Sequence, residues 1–230
     1  MPTERQVTIE QFRAHLSAVE VGRRIDEVVV HHTWSPAAGD YRGIATVQGV
    51  RRYHTGVRGW SDNGYHVMIG PDGAIFLCRP MQRQGAHVAG RNAHTIGVSF
   101  IANFDRDDPA QYAGLRAGHE VVAALLVRFD LSVEAIRFHR EFANKTCPGL
   151  KLGLAQFRRD VAAVGACGGA TAPKIVLLPC SDVIACNAEV EDGVTRVDLR
   201  PLAEALGCSV EDAIKTHGEV IVRSPVLPGS

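Results

Sequence analysis

Val28-Val29-Val30-His31-His32-Thr33 is a run of β-branched residues that ends in two imidazoles. Continuous apolar sequence of this kind reads as a strand buried on both faces, central in a sheet that helices cover. Side chains alternate along a strand, so His31 and His32 leave it on opposite faces. A second segment has the same form: Ala135-Ile136-Arg137-Phe138 is a short apolar run that runs into His139, and Cys147 follows just before the Pro148-Gly149 turn. Imidazole nitrogen and thiolate sulfur are zinc donors, and a catalytic zinc keeps three protein ligands with a fourth position open. His31, His139 and Cys147 supply that set, for one zinc ion per chain. Such a metal activates water and polarises a carbonyl, which makes hydrolysis of an amide or ester the natural reaction class. From spacing alone, a surface histidine and a buried thiol account for His139 and Cys147 equally well. A purely structural zinc site would need a fourth protein ligand, and no candidate stands at suitable spacing.

The remaining sequence builds helices and strands around these two runs. Thr8 and Gln11 form a capping box for a short helix over residues 8–20, with Ile9, Phe12 and Leu16 on one face. Ile44, Val47, Arg51 and His54 recur at helical spacing before Gly56. Residues 65–69 and 74–78 flank Gly70-Pro71-Asp72-Gly73 and read as a β-hairpin, and residues 96–101 read as another buried strand. Asp108-Pro109 opens a long helix to about Phe129, and residues 150–164 read as a closing helix. The fold class is α/β, a central mixed sheet flanked by helices, over residues 1–165. Residues 166–173 read as a linker and residues 174–230 as a small α+β domain with strands at 175–178, 183–188, 194–198 and 219–223 and a helix at 201–206.

Composition bounds the function. The 230 residues are 46% hydrophobic, enough for a packed core. Lys plus Arg and Asp plus Glu are 25 each, so net charge gives no footprint for nucleic acid or an acidic membrane. The N-terminus is polar, without the apolar region of a signal peptide, and no apolar window has the length of a membrane span. Synthesis in the cytoplasm is expected. The six cysteines are scattered, as reduced thiols are.

Five motifs stand in a recognisable order: Val30-His31-His32-Thr33; Gly59-Trp60-Ser61-Asp62-Asn63-Gly64-Tyr65-His66; Gly85-Ala86-His87; Ile96-Gly97-Val98-Ser99-Phe100-Ile101-Ala102-Asn103-Phe104; and His139 with Cys147-Pro148-Gly149. The chain resembles the type-2 N-acetylmuramoyl-L-alanine amidases, a superfamily that includes phage T7 lysozyme, bacterial autolysins and the peptidoglycan recognition proteins. The resemblance covers about residues 25–163. It implies His31, His139 and Cys147 as zinc ligands, with Tyr65 and Lys145 orienting the attacking water and stabilising the oxyanion. It places His87, Asn92 and Trp60 along the substrate groove. It also implies peptidoglycan or a muramyl peptide as the partner, cut between the lactyl group and L-alanine. His94-Thr95 departs from the Asn-Ser usual in the family at that point of the groove loop. Glu141 reads as a loop-stabilising carboxylate.

The biological settings open to such an enzyme are a phage or prophage endolysin, a bacterial autolysin, or a cytosolic amidase that recycles anhydro-muropeptides. The alternative from another class is a peptidoglycan-binding protein without hydrolysis, against which Cys147 argues. Residues 194–207 are similar to modules related to the copper amine oxidase N-terminal domain. Wall binding, subunit pairing into a homo-oligomer, or stabilisation of the enzyme are the roles such a unit could serve.

Overall fold

The computed structural model describes residues 4–169 and, beyond them, four short strands. The chain divides into two compact units, Met1–Ala166 and Cys167–Ser230. In the first, six strands form one mixed sheet: β1 (Arg5–Val7), β2 (Glu27–His32), β3 (Val67–Ile69), β4 (Ile75–Leu77), β5 (Thr95–Phe100) and β6 (Ile136–Phe138), in the order β1-β4-β3-β5-β2-β6. β3, β5, β2 and β6 run parallel, and β4 and β1 close one edge antiparallel. The valine run therefore sits between two parallel neighbours, as its unbroken apolar character requires.

Alternation sorts the strand residues onto two faces. Val28, Val30, Val67, Ile69, Ile96, Val98, Phe100, Ile136 and Phe138 pack in one core with α1 (Ile9–Ala18), α3 (Gly114–Arg128) and α4 (Leu154–Gly169). Phe12 and Leu16 bring α1 to it, Val122 and Leu125 bring α3, and Phe157 and Val161 bring α4. Each of these side chains contributes roughly 1.5–3 kcal/mol by leaving water. On the opposite face α2 (Ile44–Gly56) sets Val47 and Val50 against Met68, Phe76 and Ile101. His31 belongs to this second face, in register with Ser99 of β5, which in turn pairs with Met68 of β3. His32 belongs to the first, its ring 6.5 Å from that of Phe104.

The capping box at Thr8 forms as its sequence dictates: the Gln11 N–H donates to the Thr8 hydroxyl at 3.2 Å and the Thr8 N–H to the Gln11 side chain at 3.0 Å. Other boundaries shift for local reasons. The helix expected from Asp108 begins as a single 3-10 turn, Pro109–Gln111, and breaks at Tyr112. The Tyr112 hydroxyl donates toward the carbonyls of Ile69 and Ile101 at 3.0 and 3.2 Å, which draws the chain onto the sheet before α3 starts. Leu150 is 72% exposed and lies ahead of the last helix, which runs through Gly169 and so occupies the first residues of the stretch read as a linker. β1 has three residues, too few for its alternation to be read from sequence.

In the second unit, Ala188–Glu191 pairs antiparallel with Val194–Val197, and Ile214–Thr216 with Glu219–Ile221. The strands expected at 175–178 and 183–187 and the helix at 201–206 lie outside the described residues. Among those described, no helix is long and apolar enough to cross a membrane.

The contact between α3 and the sheet has no slack at Gly118, where a β-carbon would lie 2.2 Å from Cζ of the fully buried Phe100. Gly118→Ala is expected to lower the unfolding free energy by about 1–3 kcal/mol, despite alanine's better helix propensity. A urea titration reads this directly; a midpoint at or above that of the parent would show that the helix moves freely on β5.

Candidate metal centre and active site

His31 is the fifth residue of β2, and His139 is the residue that follows β6. Because β2 and β6 are paired in parallel, with Val30 opposite Phe138, the two histidines emerge side by side at the carboxyl ends of the strands. Their ring centroids are 4.6 Å apart. Cys147 reaches them from the loop after His139. Its sulfur lies 3.6 Å from His31 Nδ1, and one ligand atom from each of the three residues can be chosen so that all lie within 4.8 Å of one another. Among the described residues, His31, His139 and Cys147 are the group of His, Cys, Asp and Glu side chains so arranged.

The cysteine loop is fastened from several sides. The Arg140 N–H donates to the Cys147 carbonyl at 2.7 Å, and its guanidinium donates to the carbonyls of Gly149 and Leu152 at 2.7 and 2.8 Å. Asp105, from the loop after β5, accepts from the Thr146 hydroxyl at 2.8 Å and the Leu150 N–H at 2.9 Å. Glu141 accepts from the Phe138 N–H at 2.6 Å and pairs with Arg137 at 2.8 Å, closing the turn that carries His139. Gly149, at φ 118°, lies so close to Phe104 that a β-carbon would come within 2.5 Å of its backbone.

Burial sets the protonation of these groups. His31 is 1% exposed, and burial, reinforced by His87 and His139, holds its imidazole neutral well below the ordinary range. His139 is shifted the same way by burial and by Lys145. Burial pushes the Cys147 thiol up to about 12, although the His32 N–H points at the sulfur from 3.4 Å and favours the thiolate. Burial also raises the Tyr65 phenol, which stays protonated at neutral pH. Neutral imidazoles and a thiol that ionises against a cation are the states from which metal ligands are made.

Above the three residues is a cavity of about 380 Å³ lined by His32, Thr33, Trp34, Tyr65, His139, Lys145, Thr146 and Cys147. The Tyr65 ring is 5.2 Å from that of His31, and Lys145 is exposed on the cysteine loop. Trp34 is 58% exposed with a left-handed backbone, φ 62°, which bulky residues rarely adopt. Its N–H donates to the Ala102 carbonyl at 3.0 Å, which holds the residue in that conformation.

Residues 21–150 match the protein family described as N-acetylmuramoyl-L-alanine amidase, and that span contains all three clustered residues together with Tyr65 and Lys145. The chain belongs to this family. The human N-acetylmuramoyl-L-alanine amidase is 34% identical over 125 residues, which are 52% of this chain and 22% of the human protein. The fold is shared with a Clostridium intestinale endolysin, the N-acetylmuramoyl-L-alanine amidase LysCS, at a TM-score of 0.50 and 26% identity, covering 61% of this chain and 85% of that one. It is shared equally with a tyrosine-to-phenylalanine mutant of the Drosophila recognition protein PGRP-LB, solved in complex with tracheal cytotoxin, at a TM-score of 0.50 and 25% identity over 60% of this chain and 82% of that one. The family match ends at residue 150, ahead of the second unit.

Within this amidase-family unit, His139, Cys147, Tyr65 and Lys145 line one cavity, and His31 lies against them with its ring 4.6 Å from that of His139 and 5.2 Å from that of Tyr65. His87, Asn92 and Trp60, expected along the groove, do not line this cavity. His87 is buried behind His31, 3.0 Å from its Nε2. The Asn92 side-chain oxygen accepts from the N–H groups of His87 and Val88 at 2.8 and 3.0 Å, bracing the loop. Trp60 stacks on His54, ring centroids 4.7 Å apart. His87 thus backs a clustered histidine, and Asn92 braces the loop that carries it. Trp34 and the clamp residues Asp105 and Arg140 escaped the sequence reading because only the folded loops bring them to the site.

Two further buried histidines are fixed in one tautomer: the Gly64 N–H donates to His54 Nδ1 at 3.1 Å and the Gly97 N–H to His66 Nδ1 at 3.0 Å. Burial lowers His54 to about 4 and His66 to about 3. A histidine whose folded pKa is depressed stabilises the fold fully above its unfolded value, and that stabilisation is lost as pH falls toward the folded pKa. The urea midpoint should therefore drop steadily from about pH 6.5 to about pH 5, above most of the range where carboxylates titrate. His54→Asn, which retains an acceptor for the Gly64 N–H, should flatten the slope. A flat wild-type profile across that window would contradict the assignment.

Proposed function

We propose that the first unit is a zinc-dependent peptidoglycan hydrolase that cuts the amide between the lactyl group of N-acetylmuramic acid and the L-alanine of the stem peptide. The observation that carries this reading is the meeting of His31, His139 and Cys147 under a cavity that Tyr65 and Lys145 also line. The donor set fits zinc: the 3.6 Å between His31 Nδ1 and Cys147 Sγ matches the edge of about 3.5 Å that Zn–N and Zn–S bonds make at tetrahedral angles. Zinc held there would supply Lewis acidity and make water nucleophilic near neutral pH.

The chain's own groups do the rest. Tyr65, protonated and beside His31, donates its O–H to charge developing on the carbonyl oxygen. Lys145 adds a positive charge from the cysteine loop. Trp34 gives the rim an apolar face on which a sugar ring can rest. The likeness to the endolysin, which spans most of that protein, supports wall lysis as the setting, with release to the wall after synthesis. A cytosolic recycling role would show as preference for anhydro-muropeptides over sacculi. The likeness to recognition proteins supports a second reading, binding without cleavage, which the same assay separates. For residues 174–230 we propose wall binding, with subunit pairing as the outcome that light scattering would reveal.

Mass spectrometry of products from purified sacculi is expected to yield free stem peptides beginning with L-alanine, with the yield abolished by a chelator. Intact sacculi that nevertheless retain the protein would favour the binding reading. Cys147→Ser should lose zinc affinity by more than about 100-fold, beyond what loss of an outer partner costs. Full zinc occupancy in that variant would remove Cys147 from the ligand set. Tyr65→Phe should keep its zinc and lose about 100- to 1000-fold in kcat; unchanged kcat would leave the tyrosine without a catalytic part.

A further inference from the structure

His87 is 8% exposed, on the loop that precedes β5, and both of its ring nitrogens are engaged. Nδ1 is 3.0 Å from His31 Nε2, and Nε2 is 3.3 Å from the Thr95 hydroxyl. That hydroxyl lies 3.1 Å from the carbonyl oxygen of Arg91. A carbonyl oxygen can only accept, and a hydroxyl has one proton, so Thr95 gives its proton to Arg91 and its oxygen accepts from His87 Nε2–H. A neutral imidazole carries one N–H. His87 Nδ1 is therefore the acceptor, and it takes the Nε2–H of His31. His31 is left with its lone pair on Nδ1, the atom that faces the Cys147 sulfur.

The backbone is shaped to keep His87 in this place. A β-carbon at Gly97, the β5 residue paired with Val29, would lie 2.7 Å from the His87 ring, and one at Gly85 would lie 2.3 Å from it. Asn92 fixes the other side by accepting from the His87 N–H at 2.8 Å. If His31 took the other tautomer, its Nδ1–H would point at the sulfur, and two nitrogen lone pairs would face each other at 3.0 Å. Turning His87 over as well would force the Thr95 proton away from the Arg91 carbonyl. The first alternative sets two buried lone pairs against each other, and the second turns the lone pairs of the Thr95 hydroxyl toward the Arg91 carbonyl oxygen at 3.1 Å and leaves that carbonyl with the His94 N–H alone.

We propose that His87, backed by Thr95 and the Arg91 carbonyl, is a positioning residue that locks His31 in the tautomer able to ligate a metal through Nδ1. The proposal rests on the reading of His31, His139 and Cys147 as a zinc site. Outer partners of this kind orient a ligand imidazole and raise its affinity for metal; here the partner is a second histidine, with the proton direction set at a backbone carbonyl one step further back.

The test uses the full chain and the zinc ion alone. ¹⁵N resonances of the metal-free protein at neutral pH should show His31 protonated at Nε2 and bare at Nδ1. Zinc affinity, measured by competition with a chromophoric chelator, should fall about 10- to 100-fold in His87→Leu and stay within about 3-fold in His87→Asn, whose Oδ1 occupies the place of Nδ1 and accepts the same proton. Thr95→Val should give a mixture of His31 tautomers and an intermediate affinity. A merely structural role for His87 would lower the thermal midpoint of the metal-free protein in both His87 variants alike and leave zinc affinity unmoved. If His87→Leu does not fold, the near-isosteric His87→Asn and Thr95→Val and the wild-type resonances still decide. A proton on His31 Nδ1, or wild-type zinc affinity in His87→Leu or Thr95→Val, would overturn the proposal. Failure of the wild type to bind zinc would instead sink the metal centre, while the tautomer measurement still judges the relay.

Discussion

Parallel pairing of β2 with β6 is the constraint on which the site depends. It brings His31 and His139, 108 residues apart in sequence, into adjacent positions at one end of the sheet. The pairing is held by apolar side chains on the face away from the site: Val28 and Val30 of β2 and Ile136 and Phe138 of β6 pack with α1, α3 and α4. The sheet thus divides its labour, one face supplying cohesion and the other, where α2 covers only part of the surface, supplying a place for polar side chains. That parallel strands end at the same side is what lets the loops after β2, β5 and β6 converge over one point.

The polar face must then satisfy many buried groups. His31, His54, His66 and His87 are all buried, and each finds a ring or backbone partner that keeps it neutral. Arg23, which donates to the carbonyls of Met81, Ala93 and Thr95 at 3.0, 3.0 and 3.1 Å, ties the loop carrying His87 to the segment between α1 and the valine run. The cysteine arm is fixed differently, by Arg140 and Asp105 gripping backbone groups on both sides of Cys147. Two strands and one clamped loop therefore hold three donor atoms, with little left to side-chain chance.

Much of this was legible in the sequence. The valine run announced a central strand, the histidines at strand ends announced their own convergence, and the order of motifs named the family and, with it, Tyr65 and Lys145. The opposite facing of His31 and His32 follows from the period of a strand, and the structure has it so. What the sequence hid were contacts between loops. His87 and Asn92 looked like groove polarity because a loop rich in His and Asn is usually exposed; Gly97, a glycine inside a buried strand, was the sign that something would lie on top of it. The break at Tyr112 was invisible for a similar reason, since its hydroxyl partners are carbonyls at the end of β3 and just after β5. Short elements such as β1 carry too few residues for period to speak.

The claim at the centre of this account is that the three converging side chains form one metal centre. X-ray absorption at the zinc edge of the zinc-loaded full chain tests it most directly. The account predicts one sulfur at about 2.3 Å and two imidazole nitrogens at about 2.0–2.1 Å, with one further light atom completing four-coordination. A first shell without sulfur, or one made up of water oxygens alone, would contradict it.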